Sequence, residues 1–506
     1  ENYKGNDIKI LEDLMISECI KYIEYLIEFI NPSKLLYISI DGVAPFAKID
    51  QQRSRRFHSA KKNYQIITLK KKWNINDNKI NWTNASITPG TIFMEKLDNK
   101  LKNWILYKKK MVKFKIIYSS CYMPAEGEHK ILQYIKTNNL SYNNYIIYGL
   151  DADLIFLSLA TLKNNVFLLR ESNIINKQDK EVLSLVSIDE IKKYLVLEFK
   201  TYIKNEIILD NLIIDFIFIC FLIGNDFLPK IPSIDIYAKN NLINGLDLLI
   251  YCYSKSFNIF NKYIIDISDI IKFNKDILID FIDNLILFES DYFVKRYNNT
   301  KKIYYEKIDS YEKDLKRLEN LNFKINDDVK LGYGEEESWK FRYYKYYYKT
   351  INNQLEIVNE ACIEYFKGLI WNSYYYFISC PSWKWNYKFS AAPFLSDLRK
   401  YIKNFDFNFE FQLDIPLKPL EQLICVLPPQ YAFLLPKELS YYLSDDNSEI
   451  IYLYPKKFEL DMINQTKDWA CKPIIPKIDL YILKLIEFKN INKFHMNRNR
   501  IETKLF

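Results

Sequence analysis

Apolar residues recur at helical spacing over Leu11–Ile30 (Leu14, Met15, Cys19, Ile23, Leu26, Ile27, Ile30), and the pattern stops before Asn31-Pro32, so the chain opens on a helix. The short apolar run Leu35–Ile40 reads as a buried strand closed by Asp41-Gly42, and Lys113–Tyr118 reads as another. Tyr145–Leu150 and Val166–Leu169 predict two more strands, the former central in its sheet, while Glu128–Ile135, Ile188–Ile203 and Leu212–Ile223 carry the helical period. Leu154–Ala160 suits a strand or a helix equally. Thr88-Pro89-Gly90 predicts a further helix start with Thr88 as its N-cap, and the polar residues 58–86 read as loop. Strands alternating with helices predict an α/β core over residues 1–240. Residues 241–335, rich in Lys, Asp and Asn, read as a variable helical insertion. The texture changes at Trp339 with WKFRYYKYYY, and residues 336–490, including Cys362–Ile378, CPSWKW and Pro416–Pro429, predict a second compact region before a tail at 491–506.

Length and composition narrow the class. At 506 residues with 49% hydrophobic content the chain can build two or three cored domains. Eight cysteines stand singly, without a CxxC and beside only three histidines, which indicates neither a zinc site nor a disulfide framework. The longest apolar run in a helix, Ile213–Ile223, is about half of what a bilayer requires and carries Asp215, so no membrane partner is expected. Residues 1–7 are polar and no initiator methionine is present, from which a start partway into a longer protein is expected. A net charge of +8 is modest for this size, so a polyanion surface must come from local clustering. Only ten residues are glycine, and Gly42, Gly127, Gly149 and Gly224 each lie within two residues of an acid at an apolar boundary.

Those acids are the candidate chemistry. Asp41 follows a strand, Glu126 and Glu128 flank a glycine at a helix start, Asp151 and Asp153 follow the strand at 145–150, and Asp226 follows a buried helix. In open α/β sheets ligands bind at the carboxyl ends of strands. In extended backbone, aspartates at i and i+2 point the same way and repel, which a cation relieves; oxygen ligands suit Mg²⁺ or Mn²⁺. Each acid also has a plain alternative: solvated turns for the aspartates, or favourable placement at a helix N-terminus for the glutamates. Lys48, Gln52, Arg55 and Arg56 fall at i, i+4, i+7 and i+8, one helix face that offers three cations and an amide to a phosphate, or else a solvated basic face. Aromatics interleaved with cations in the second region can stack on bases, or simply pack. Taken together, the acids have the makings of a site for one or two metal ions, where two ions would stabilise the attacking and leaving oxygens of a phosphodiester.

The stretches IDGVAPFAKIDQQRSRRF, ITPGTIFMEKL, PAEGEHKILQYI, YGLDADLIFLSLA, FLIGNDFLPKIPS, EYFKGLIWNSYYYFISCPSWKW and LKPLEQLICVLPP resemble, in the same order, the two conserved regions of the Xrn family of 5′→3′ exoribonucleases, over about residues 8–490. The resemblance implies a PIN-like, flap-endonuclease-like parallel-sheet nuclease core with a second, mainly helical, aromatic-rich region. It places Asp41, Glu126, Glu128, Asp151, Asp153 and Asp226 in a Mg²⁺ (or Mn²⁺) site of two ions. Lys48, Gln52, Arg55 and Arg56 then form a pocket for a 5′-monophosphate, and Trp383 or Trp385 stacks on a terminal base. The implied activity is processive hydrolysis of single-stranded RNA to nucleoside 5′-monophosphates by a monomeric core, with capped and triphosphorylated ends excluded. The alternative is a catalytically impaired RNA-binding or scaffold protein of the same fold; a flap-type DNA nuclease fits the QQRSRRF helix less well. Three departures stand out. The family's first strand with its aspartate and a base-stacking histidine is not in this sequence. Ala125 replaces the usual glycine before Glu126, which is tolerable unless that position needs a positive φ. Finally, the long C-terminal extension of the cytoplasmic members and the zinc knuckle of some nuclear ones are both missing, and the chain's end, with SEIIYLYP and Trp469, resembles the short nuclear type, which implies a nuclear location with the cytoplasm as the alternative.

Overall fold

A computed structural model describes residues 7–75, 82–138, 142–172, 182–236, 242–268, 270–299, 307–350, 352, 354–486 and 495–506. In chain order the elements are α1 (Ile8–Ile30), β1 (Leu35–Ser39), α2 (Phe46–Lys72), α3 (Ile92–Lys108), β2 (Lys115–Ser119), α4 (Gly127–Thr137), β3 (Tyr145–Tyr148), α5 (Asp153–Leu159), β4 (Val166–Ser172) and β5 (Val182–Ser187). Helices dominate the remainder: α6 (Ile188–Lys200), α7 (Leu209–Cys220), α8 (Gly245–Phe260), α9 (Lys275–Asn298), α10 (Tyr311–Glu319), α11 (Glu336–Tyr348), α12 (Gln354–Phe377), α13 (Leu395–Ile402), α14 (Pro419–Val426) and α15 (Lys437–Ser444), with a small hairpin β6 (Ile265–Ile267) and β7 (Ile271–Phe273). The chain forms two compact units: residues 1–131, 302–326 and 415–506 in the first, and 132–301 and 327–414 in the second. These units cut across the linear division expected from the sequence. Among the described residues no helix is long and apolar enough to cross a membrane.

In the first unit β1 and β2 pair in parallel, from Leu35 opposite Lys115 to Ser39 opposite Ser119. The loops leaving both strands therefore emerge from one edge, the edge at which open α/β sheets bind ligands. The helix expected after Asp41 does not stop near residue 57. It runs to Lys72, because nothing in 58–72 is Gly or Pro and because Phe46, Ile49, Arg53, Phe57 and Ala60 recur at helical spacing on a buried face. That face packs on Leu420, Leu423 and Ile424 of α14 in a core shared with Leu439 and Leu443 of α15. Burying each such large side chain stabilises by roughly 1.5–3 kcal/mol. Within this core Arg53 is 1% exposed. Its guanidinium lies 4.4 Å from the Phe57 ring centroid and donates to the carbonyls of Cys425 (2.9 Å) and Leu453. The N-cap of α3 is Thr91, whose hydroxyl accepts the Met94 N–H at 3.3 Å, and not Thr88, whose hydroxyl instead donates to the Ala85 carbonyl at 2.8 Å.

In the second unit β3 pairs with β4 in parallel and β4 with β5 antiparallel. The order β3-β4-β5 puts β3 at an edge of this sheet, where a central strand was expected. The ambiguous stretch after it is helical, as α5. Helices carry the rest of the unit, with an aromatic core in which Trp339 meets Phe293 (4.9 Å between centroids) and Phe394 (5.3 Å). Asp215, wholly buried in α7, accepts hydrogen bonds from the Tyr253 hydroxyl (2.7 Å) and the N–H groups of Ile264 (2.7 Å) and Ile265 (2.9 Å). Burial pushes its carboxyl up to about 7. The residue that looked anomalous in an apolar helix is thus a polar tie for the β6–β7 hairpin. The eight cysteines are all free.

Candidate active site

Asp41 and Gly42 leave β1, and Ser120–Glu126 leaves β2 to enter α4. The two loops are laced by backbone bonds: Gly42 N–H to the Ala125 carbonyl (2.9 Å) and Ala125 N–H to the Val43 carbonyl (2.8 Å). A Cβ on Gly42 would fall 1.8 Å from the Met123 carbonyl oxygen, so only glycine permits this approach. Asp41 Oδ1 accepts the N–H of Gly127 at 2.7 Å, an anion on the first turn of α4. Ala125 has φ of +86°, the left-handed region. The position does need a positive φ, and a Cβ there costs about 1–2 kcal/mol that glycine would not incur.

That strained residue delivers Glu126, whose Oε1 lies 2.7 Å from Lys48 Nζ, with both side chains under 10% exposed. At the start of α4, Glu126, Glu128 and His129 each offer a ligand atom within 4.8 Å of the others, a group able to hold a metal ion. Its carboxylate oxygens fit a hard divalent ion such as Mn²⁺ or Mg²⁺, while the imidazole is a donor better suited to softer first-row metals. His129 escaped the reading of the sequence, which followed the i, i+2 glutamates; the signal was the Glu126-x-x-His129 spacing on one helical turn. Lys130 escaped as well. Buried, it donates to the carbonyls of Ile40 (2.7 Å) and Ser120 (2.8 Å) and so ties both strand ends together. Burial brings its ammonium down to about 8 despite the opposing charge of Asp41.

The basic face of α2 is not a solvated one throughout. Lys48 is buried against Glu126. Gln52 accepts from Gln422 Nε2 at 3.3 Å, and Gln422 Oε1 in turn accepts the Ala44 N–H at 2.9 Å. Arg56 donates to Thr88 Oγ1 (2.8 Å) and to the Gln52 carbonyl (3.2 Å). Desolvation first, and then the neighbouring Arg55, lower its pKa to about 10. Arg55 is exposed. Three of the four residues are thus held in place, and one is free to reach outward.

Asp151, Asp153 and Asp226 belong to the second unit. β3 ends at Tyr148, and Asp153 is the first residue of α5 after Ala152 in helical backbone, so the two aspartates do not share one extended strand as expected. Asp151 is exposed and Asp153 half-buried. Asp226 lies in the turn that follows Gly224 (φ +90°), where Asn225 Oδ1 accepts the N–H groups of Phe227 (3.0 Å) and Leu228 (2.9 Å). Of the two tryptophans, Trp385 is committed to a stack on Trp371 (5.7 Å, 25°) and an edge contact with Phe411 (6.0 Å). Trp383 is half-buried and has no ring partner among the described residues; its backbone N–H is fixed by Asp414 Oδ1 at 2.5 Å.

Comparison with known proteins bears on this arrangement directly. Residues 2–172 match the XRN 5'-3' exonuclease N-terminus, and residues 206–321 and 296–487 match the Xrn1 helical domain. The chain is 30% identical to 5'-3' exoribonuclease 1 of Homo sapiens over 530 residues, covering 93% of this chain and 30% of that protein. It is 27% identical to 5'-3' exoribonuclease 2 of Candida albicans over 631 residues (92% and 64%) and 28% identical to 5'-3' exoribonuclease 1 of Saccharomyces cerevisiae over 610 residues (94% and 40%). The chain spans less than two thirds of the length of each of these relatives.

Proposed function

Because the chain belongs to the Xrn family, we propose that it is a divalent-metal-dependent 5′→3′ exoribonuclease that takes single-stranded RNA with a 5′-monophosphate and releases nucleoside 5′-monophosphates processively. The observation that carries this reading is the buried Lys48–Glu126 contact, which joins a phosphate-binding helix face to a metal-capable cluster at one sheet edge. Glu126, Glu128 and His129 would hold a divalent ion, Mg²⁺ or Mn²⁺, and Asp41, Asp151, Asp153 and Asp226 are the further carboxylates proposed for a two-ion reaction. When bound, such ions polarise the phosphoryl oxygen and generate a hydroxide from water near neutral pH. Asp41 orients the start of α4 through Gly127. Lys48, Gln52, Arg55 and Arg56 receive the terminal phosphate, with Arg56 aimed by Thr88. A pocket sized for the terminal group would admit one phosphate and reject a triphosphate or cap. Trp383, with no ring partner among the described residues, is the better placed of the two tryptophans to stack on a base.

The test is directional. With Mg²⁺ and RNA labelled at the 5′ end, the label should appear at once as a mononucleotide, whereas a 3′ label should persist in long species. RNA that is bound but left intact would instead assign the chain to the RNA-binding proteins of this fold, and internal cuts would reject an exonuclease altogether.

A further inference from the structure

Residues 498–506 form a strap within the first unit. Arg498 donates to the carbonyls of Gly90 (2.8 Å) and Leu434 (2.8 Å), and Asn499 Oδ1 accepts the Leu420 N–H at 2.9 Å. Farther on, Phe506 and Tyr118 exchange both backbone bonds, at 3.0 and 2.9 Å, the signature of an antiparallel pair. β2 therefore has β1 on one side and this segment on the other. Between these anchors sits Glu502. Its N–H donates to the Tyr122 carbonyl (2.9 Å), and its carboxylate accepts the Ser120 hydroxyl at 2.5 Å while pairing with Lys102 (3.1 Å) and Arg500 (3.1 Å).

Ser120 is the first residue of the loop that ends in Glu126. Its hydroxyl is held by Glu502 and its carbonyl by Lys130, whose second bond goes to Ile40, the residue before Asp41. The same loop contains Ala125 at φ +86°, a conformation that persists only when the surroundings over-determine it. We propose that Glu502 is a positioning residue: through Ser120 and then Lys130 it fixes the path of the loop that presents Glu126, Glu128 and His129, so that the strap, distant in sequence, sets metal affinity and turnover. This rests on the exoribonuclease reading above.

Removing the bond from either end should have the same consequence. Glu502→Ala and Ser120→Ala should each weaken Mn²⁺ binding measured by calorimetry about tenfold, in the range seen when the groups supporting metal ligands are lost. Each should lower kcat on 5′-monophosphorylated RNA about tenfold with KM within about twofold, and the double variant should be no worse than the weaker single one. Glu502→Gln, which keeps an acceptor for Ser120, should restore most of both, and Lys102→Met, which removes the ion pairs to Glu502 and Asp98 but leaves the Ser120 bond, should change neither. Amide exchange over residues 121–128 should quicken in Ser120→Ala, a variant that spares the ion pairs if Glu502→Ala does not fold. Native Mn²⁺ affinity and kcat in Ser120→Ala with only a lower melting temperature would overturn the proposal, as would additive losses in the double variant. Should the unaltered protein neither bind Mn²⁺ nor cleave, the exoribonuclease reading fails instead, and unchanged exchange at 121–128 in Ser120→Ala would then overturn the strap separately.

Discussion

The carboxylates of the two units are held in contrasting ways. In the first unit Asp41 is bound to the start of α4, Glu126 lies on a buried lysine, and the loop between β2 and α4 is laced to Val43, Lys130 and Glu502. In the second, Asp151 is exposed, and α5 begins at Asp153 after Ala152, which gives no side-chain cap. The approach to Asp151 is anchored by Gly149 N–H on the Leu169 carbonyl at 3.3 Å and by Arg170 on the Leu150 carbonyl. One set is built into the packing, while in the other Asp151 is exposed and Asp153 stands at a helix N-terminus, where the dipole favours negative charge. Substitution should therefore separate chemistry from stability: in the second unit it touches function alone, and in the first it touches both.

The largest effect expected is Asp151→Ala with Asp153→Ala. Loss of several kcal/mol of metal-borne charge stabilisation should cut cleavage by about 10³-fold while the melting temperature and RNA binding stay near those of the unaltered protein. Cleavage that survives would remove these two residues from the metal assignment. Glu126→Ala should likewise abolish cleavage but also destabilise the fold by about 3–5 kcal/mol, because it takes away the carboxylate that neutralises buried Lys48. Denaturant unfolding checks this, and Lys48→Met added to Glu126→Gln should recover part of the loss. If Glu126→Ala unfolds like the native chain, the contrast between the two sets collapses.

A smaller effect belongs to the phosphate face. Arg55→Ala with Arg56→Ala should shrink the preference for 5′-monophosphorylated over 5′-hydroxyl RNA about 10- to 100-fold, the worth of one to two charge-assisted hydrogen bonds. An unchanged ratio would refute the pocket. The smallest is Ala125→Gly. Relief of about 1–2 kcal/mol of left-handed strain, less about 0.5–1 kcal/mol for the extra freedom of glycine in the unfolded chain, leaves a gain of up to about 1.5 kcal/mol. Thermal denaturation should show a slightly higher midpoint, and a lower one would mean that the Ala125 methyl is part of the packing.

Much of this was legible in the chain because the signals were local. The apolar runs at Leu35–Ile40 and Val166–Leu169 located β1 and β4, and the break at Asn31-Pro32 ended α1 where Asn31 turns left-handed. The acids at those breaks were legible as candidates, and their grouping into one metal site was expected from their shared placement at such breaks and from the resemblance. What stayed hidden depends on partners far along the chain. Residues 58–72 look like loop by composition, yet Leu69 is buried and Lys72 pairs with Asp314 at 2.5 Å, which extends α2 by four turns. Thr88 has the chemistry of an N-cap but is used by Arg56, leaving the role to Thr91. β5 reads VLSLVS, with apolar residues in pairs in place of a strand's strict alternation, so its pattern did not announce it. The strap is polar, and nothing in its sequence names β2 as its partner. Ala125 was legible only as a condition, a substitution harmless if φ is negative, and the backbone answers it at +86°.

The most direct measurement is the rate of mononucleotide release from otherwise identical single-stranded RNAs bearing a 5′-monophosphate or a 5′-triphosphate, in Mg²⁺ and again after chelation. The account predicts rapid release from the monophosphorylated RNA alone, abolished by chelation. Equal degradation of both ends, or degradation that persists without a divalent ion, would contradict it.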